Sequence, residues 1–257
     1  MALAQLHVLA VGDFGAEVAR HLGRAHPGAL VTSDKDSALL DSSGWPPARI
    51  RVLASWREAP RLMETLDARS AEWRTIWFPV VNEHPRLRVG PVVVPGEGAC
   101  YRCFRRRRAQ HEPPTTRTAL LHAHYDAHPE AGVAGFLPHH VDMAAATATE
   151  MLRRVERGDA GEVAGNVRHW NVLEHRMSTA RVVGVHGCDR CRRDSPDAAG
   201  GSWEGLAREL APLLAGAGAG SVPGGGAGAG AGAGSASAGP AASAGTSAVP
   251  SVPAEQR

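Results

Sequence analysis

Leu6-His7-Val8-Leu9-Ala10-Val11-Gly12-Asp13-Phe14-Gly15 reads as a short strand running straight into a glycine turn. The apolar run is rich in strand formers, and Val18, Ala19 and Leu22 then recur at helical spacing over residues 16–24. Strand, glycine turn and helix is how a nucleotide-binding α/β fold of Rossmann type begins. A second strand is expected over 29–32, ending at the acidic cluster of Asp34 and Asp36.

Outward from that opening, strand and helix alternate. A short apolar run at 50–53 and a helix over 59–66 are followed by two buried strands, 75–81 and 89–94. Pro79 and Pro91 push the pairing of these two strands toward edges or irregular turns, because proline has no N–H for a sheet ladder. Met143, Ala144, Thr147, Met151 and Val155 line one side of a helix over 141–157, which Gly158 stops. Two strands, 167–173 and 178–185, joined by a turn near 174–177, then lead into Cys188. From about Ala215 the chain is almost entirely Gly, Ala, Ser, Pro and Val, with charge only at Glu255 and Arg257. Such a segment buries too little apolar surface to offset its ordering entropy, so residues 215–257 are expected to be a disordered tail behind one domain over 1–214.

A net charge of +2 gives no reason to expect nucleic acid or an acidic membrane as the main partner. Neither a signal peptide nor a run of about 20 apolar residues is present, and a cytoplasmic protein is expected.

Cys100-Tyr101-Arg102-Cys103 and Cys188-Asp189-Arg190-Cys191 are the only cysteine-bearing segments. The two-residue spacing lets a tight turn aim both sulfurs at one metal, and two such pairs supply the four soft ligands of a closed tetrahedral zinc site. The pairs lie much farther apart than in a zinc finger, so the metal would staple distant parts of one fold. A closed shell of four thiolates leaves no open coordination position, which argues for structural rather than catalytic zinc. The bland alternative is two separate redox motifs or unrelated thiols.

Gly90-Pro-Val-Val-Val-Pro-Gly-Glu-Gly-Ala-Cys-Tyr-Arg-Cys-Phe104 resembles the segment entering the first zinc knuckle of the ThiF and ubiquitin-activating superfamily. The Ala-rich helix within 132–158 and the strand pair returning to Cys188 resemble the elements that follow it. Within that superfamily the chain is most similar to the ThiF-like partner proteins of YcaO cyclodehydratases, through Phe104-Arg-Arg-Arg-Arg-Ala-Gln-His111 and Val11-Gly-Asp-Phe-Gly15. The resemblance spans roughly residues 6–193 and is weak between Ser37 and Arg74. It implies a degenerate ThiF-like fold and a role in installing thiazole and oxazole rings in ribosomal peptides. The implied partners are a precursor leader peptide and a YcaO cyclodehydratase, with a homodimer as a further implication.

Two departures qualify that implication. An adenylating member needs a full glycine-rich turn against ATP phosphates, whereas here only Gly12 and Gly15 remain, flanking Asp13 and Phe14. Gly12, Gly15 and Asp34, the last at the ribose place, therefore read as the remnant of a nucleotide site. With all four cysteines claimed by metal no catalytic thiol is left, so ATP turnover is not expected and the reading is a scaffold that has lost adenylation; the alternative is an active adenylating enzyme. The first strand begins at about Leu6, with no winged-helix peptide clamp expected ahead of it. Leader recognition would then fall to a separate clamp protein or another surface.

Arg105–Arg108 could grip an acidic leader peptide or an acidic patch on the enzyme partner, or could be a solvated helix face. His122, His124, His128, His139 and His140 crowd around Tyr125 and Asp126. Their irregular spacing reads as a mobile polar loop rather than a second metal site or an acid–base centre.

Overall fold

The computed structural model describes residues 4–36, 39–111, 116–128, 130–133 and 135–191, so the expected tail at 215–257 lies outside the described residues. Strand β1 (Ala4–Val11) feeds helix α1 (Gly12–Ala25), and β2 (Leu30–Ser33), β3 (Ala48–Ser55), helix α2 (Pro60–Trp73) and β4 (Ile76–Asn82) follow. Next come β5 (Arg86–Val89), helices α3 (Tyr101–His111), α4 (Thr116–Ala127), α5 (Pro138–Glu156) and α6 (Ala160–Val163), then β6 (Asn166–Asn171) and β7 (Arg176–Arg181). One seven-stranded sheet has the order β2-β1-β3-β4-β5-β6-β7. Strands β2, β1, β3 and β4 run parallel, and β5, β6 and β7 extend the sheet antiparallel.

Both faces of the central strands β1, β3 and β4 are covered, and most of their residues are apolar as a consequence. Leu6, Val8 and Ala10 of β1 pack with Phe14, Val18 and Leu22 of α1 and Ala144, Ala148 and Met151 of α5. Small residues on α5 let that helix lie close to α1. On the opposite face Leu9, Leu53, Trp77 and Val81 pack with Leu62, Met63 and Leu66 of α2 and Tyr101 and Phe104 of α3. Among the described residues no helix is long and apolar enough to cross a membrane.

Three expectations need correction. Pro79 lies in the centre of the sheet, not at an edge: β4 pairs with β3 through Leu53↔Pro79. Its nitrogen faces the β5 side, where the Pro79 carbonyl accepts from Gly90 N–H at 2.8 Å. The reciprocal bond, which proline cannot make, is replaced by the Arg88 guanidinium donating to the Gly90 carbonyl at 2.7 Å. The strand expected over 89–94 begins earlier, as β5, and breaks at Gly90, after which Val93 and Trp77 form an isolated bridge. Finally, the histidine-rich segment is largely helical: His122 and His124 lie on α4, and His139 and His140 in the first turn of α5, while His128 lies in the connection between them.

His7, in the middle of β1, is fully buried and hydrogen-bonds Thr32 of β2 at 3.0 Å. Burial, reinforced by the nearby Arg51 cation, lowers its pKa from 6.5 to about 4. Between these values the unfolded chain binds the proton and the folded chain does not. Stability is therefore full above pH 6.5 and falls as pH drops toward 4, by roughly 3 kcal/mol for a shift of this size. Urea unfolding of wild type and His7→Leu at pH 7 and pH 4.5 checks this: the variant should lose less stability on acidification.

Candidate functional site

The four cysteines converge. Cys100 and Cys103 flank the first turn of α3, and Cys188 and Cys191 sit on the turn beyond β7. Their sulfurs all lie within 4.8 Å of one another, and three of the four residues are buried. Cys100 Sγ is 3.9 Å from Cys103 Sγ and 3.7 Å from Cys188 Sγ, and Cys103 Sγ is 3.5 Å from Cys191 Sγ. These separations exceed the disulfide length of about 2.05 Å. They match the edges, about 3.8 Å, of a tetrahedron of sulfurs around a metal with bonds of about 2.3 Å. The donor set fits too, because Val185 N–H donates to Cys103 Sγ at 3.2 Å and stabilises a thiolate there. Hydrogen bonds from the Cys100 and Cys191 thiols, more than offsetting burial, also push the Cys103 pKa down. The group could hold a metal ion, and it is the one His/Cys/Asp/Glu cluster of this kind among the described residues.

The residues between the cysteines, which sequence reading passed over, tie this centre to its surroundings. Arg102 Nη1 donates to Asp189 Oδ2 at 2.5 Å and joins the two turns. Arg102 Nε and Arg190 Nη2 both reach Glu64 Oε1 of α2 at 2.8 Å. Arg190 Nη1 reaches Asp67 Oδ2 at 3.2 Å, while Asp67 Oδ1 accepts from Tyr101 N–H at 3.0 Å. Tyr101 is fully buried, and its hydroxyl donates to Glu58 Oε1 at 2.9 Å. That contact links the centre to a buried ion cluster. Arg88, with its side chain fully enclosed, donates to Glu58 Oε2 and Glu83 Oε1, each at 2.6 Å. Burial pushes Glu58 up; at Glu83 burial is more than offset by Arg88 and Arg108, which hold it at about 2.

Gly12, Gly15 and Asp34 meet at the carboxyl ends of β1 and β3, the crevice in which open α/β sheets bind ligands. Gly12 has φ +68°, and a Cβ there would lie 2.3 Å from Trp56 Cδ1, so the indole rests directly on the turn. A Cβ on Gly15 would lie 2.4 Å from the Ala54 carbonyl, because α1 is pressed onto the end of β3. Both glycines are thus required by protein packing alone. The Gly12 N–H donates to Asp34 Oδ2 at 2.8 Å, so a carboxylate of the chain itself holds the helix terminus where an anionic ligand would sit. Arg57 Nη2 donates to the Tyr125 and His128 carbonyls at 3.1 and 3.4 Å, anchoring the end of α4 beside the crevice. Its guanidinium lies 4.3 Å from the Tyr125 ring centre. A cavity of about 270 Å³ remains, lined by Asp34, Asp36, Arg57, Arg61, Tyr125 and Asp126.

The arginine run is only partly solvated. Arg108 Nη1 reaches Glu83 at 3.2 Å, Arg107 donates to the Val183 and Gly184 carbonyls at 3.3 and 3.2 Å, and Arg106 lies 3.7 Å from Asp189. The histidines do not gather at one point: His124 stacks near His128, and His139 near His140.

No protein-family model and no curated sequence relative matches the chain. Solved structures do. The heterocyclase TruD matches with a TM-score of 0.52 and 17% identity over 74% of this chain and 27% of its own. A heterocyclase in complex with substrate and cofactor matches at 0.52 and 15% identity, over 74% and 25%. E. coli MccB, solved with MccA, matches at 0.50 and 14% identity, over 73% and 66%. The chain spans about a quarter of the heterocyclases' length and 66% of that of MccB. At such identities the likeness is one of fold: the α/β architecture expected from the sequence is observed, and it is shared with TruD and MccB.

Proposed function

We propose that this chain, over residues 1–214, is a non-catalytic adaptor in the biosynthesis of azole- and azoline-modified ribosomal peptides. In this role it binds the precursor leader peptide, presents it to a YcaO cyclodehydratase, or does both. The observation that carries the reading is the state of the nucleotide crevice: Trp56 rests on Gly12, and Asp34 takes the helix-terminal N–H. A phosphate entering there would meet an indole and a carboxylate, which argues against ATP as a cofactor. The cysteine centre holds structural Zn2+ through Cys100, Cys103, Cys188 and Cys191. When bound, the ion supplies a crosslink and no chemistry, since four thiolates fill its coordination sphere. Arg102, Arg190 and Val185 N–H orient the two cysteine turns around it.

An ATP–pyrophosphate exchange assay, run beside isothermal titration against the precursor peptide and a YcaO partner, tests the reading. Exchange no faster than the protein-free blank, together with saturable binding of one of the two partners, is expected. The second reading, an adenylating enzyme, has support in the cavity that Arg57, Arg61, Asp34 and Asp36 line together. Exchange with any carboxylate substrate would establish it and overturn the adaptor.

A further inference from the structure

We infer that the groove between α3 and the β6–β7 hairpin binds an extended acidic peptide along the edge of β7. The inference deepens the adaptor reading and rests on it only for the origin of the peptide. The groove encloses about 530 Å³; Arg107, Arg108 and His111 form its helical wall, and Val167, Ala180 and Val182 its floor. A second hollow continues it past Arg86 and His169 to Arg176. Together they make one channel along the sheet face that α5 does not cover.

Charge selects the occupant. The channel's carboxylates are Glu83 and Glu174, and Glu83 is already bonded by Arg88 and Arg108. Besides Arg108, which Glu83 already engages, Arg86, Arg107, Arg176 and Arg181 line the channel. Arg107 donates to two backbone carbonyls and to the Gln110 amide oxygen, none of them charged. A ligand carboxylate in this channel therefore meets an excess of guanidinium groups, which bind carboxylates through paired N–H donors.

Shape selects an extended peptide. All six residues of β7 are exposed, and among the described residues β7 pairs only with β6. Its outer edge is a template for one more strand, and alternate side chains of an added strand would rise beside Ala180 at the rim of the channel. Val183, 67% exposed at the end of β7, extends that apolar strip. Single-stranded nucleic acid fits poorly. The one Phe, Tyr or Trp side chain in the lining, Phe104, is 7% exposed, which leaves no large aromatic platform for stacking bases.

The test is fluorescence anisotropy on the full, metal-loaded chain, using a labelled peptide that alternates Glu with Val. Its counterpart with Lys in place of Glu and a single-stranded oligonucleotide serve as competing probes. Ala180→Trp fills the floor without changing charge, at an exposed position where folding is not at stake. Arg107→Glu and Arg176→Glu reverse the lining charge, and Arg24→Glu makes the same reversal on α1, far from the groove. Ala180→Trp and the two groove reversals should each weaken the Glu peptide about tenfold or more, with Arg24→Glu unchanged. Equal binding by Ala180→Trp and wild type, equal weakening by Arg24→Glu, or tighter binding of the Lys peptide or the oligonucleotide would overturn the assignment. The two readings fail separately. A precursor that binds wild type and Ala180→Trp alike sinks the groove and leaves the adaptor, whereas binding of the Glu peptide without any precursor binding does the reverse.

Discussion

On the zinc assignment proposed above, Cys188→Ser should release the metal and take with it about half or more of the roughly 5–15 kcal/mol that a domain of this size holds. Cys188 is fully buried and 3.7 Å from Cys100, so a serine there offers a poor ligand and no room for water to compensate. Without the metal, the turn after β7 is held to α3 and α2 chiefly by ion pairs. Arg102–Asp189 is half exposed, and pairs of that kind contribute about 0–1 kcal/mol. Arg190–Asp67 is better buried, but once Arg190 withdraws, Asp67 stays in the core with its pKa raised by burial. Detaching the turn is therefore costly twice, through the lost metal bonds and through an uncompensated carboxylate. Elemental analysis of reduced protein should find one zinc per chain, and a strong chelator should lower the urea midpoint of wild type to that of Cys188→Ser. Protein without stoichiometric metal, or with a midpoint indifferent to the chelator, would contradict the assignment.

How far this centre was legible in the sequence depends on what kind of signal each part leaves. Two pairs at fixed spacing are a local signal, so the four cysteines that converge into a group able to hold a metal were readable. The apolar runs of β1, β3 and β4 are equally local, and so is the Ala-rich face of α5. Pro79 misled because its tolerance is not local: it depends on an arginine nine residues later filling the vacancy in the ladder. Trp56, Arg57 and Glu58 went unseen for the same reason. They follow β3 without any motif, and their roles exist only once Gly12, α4 and Arg88 have been brought to them. The histidine segment looked like a loop because its residues have no apolar periodicity, and in fact α4 leaves Leu120 and Leu121 largely exposed. Its place is fixed instead by Arg57 at one end and by Asp126 accepting from Arg61 N–H at 3.2 Å, contacts that no residue pattern within α4 announces.

Arg88→Met is expected to cost about 3–5 kcal/mol, the usual penalty for leaving buried charge without its partner. The side chain of Arg88 is fully enclosed, and those of Glu58 and Glu83 are only 16% and 11% exposed. Removing the guanidinium leaves two carboxylates facing each other and deprived of the cation that bridges them, and it orphans the Gly90 carbonyl beside Pro79. The pH dependence identifies the mechanism. In wild type, Glu83 lies below its ordinary value of 4.5, at about 2. Its contribution is therefore fully present above pH 4.5 and is lost as pH falls through 2. Glu58, raised by burial, works in the opposite sense and is relieved by acid. Without Arg88, burial governs both groups. Folded-state pKa values then lie above the unfolded ones, and stability should rise as pH falls from 7 toward 5, relative to wild type. Urea unfolding of both proteins at pH 7 and pH 5 measures this directly. A destabilised variant whose deficit stays the same at both pH values would mean that Arg88 acts by packing and by its bond to Gly90, with the two carboxylates satisfied some other way.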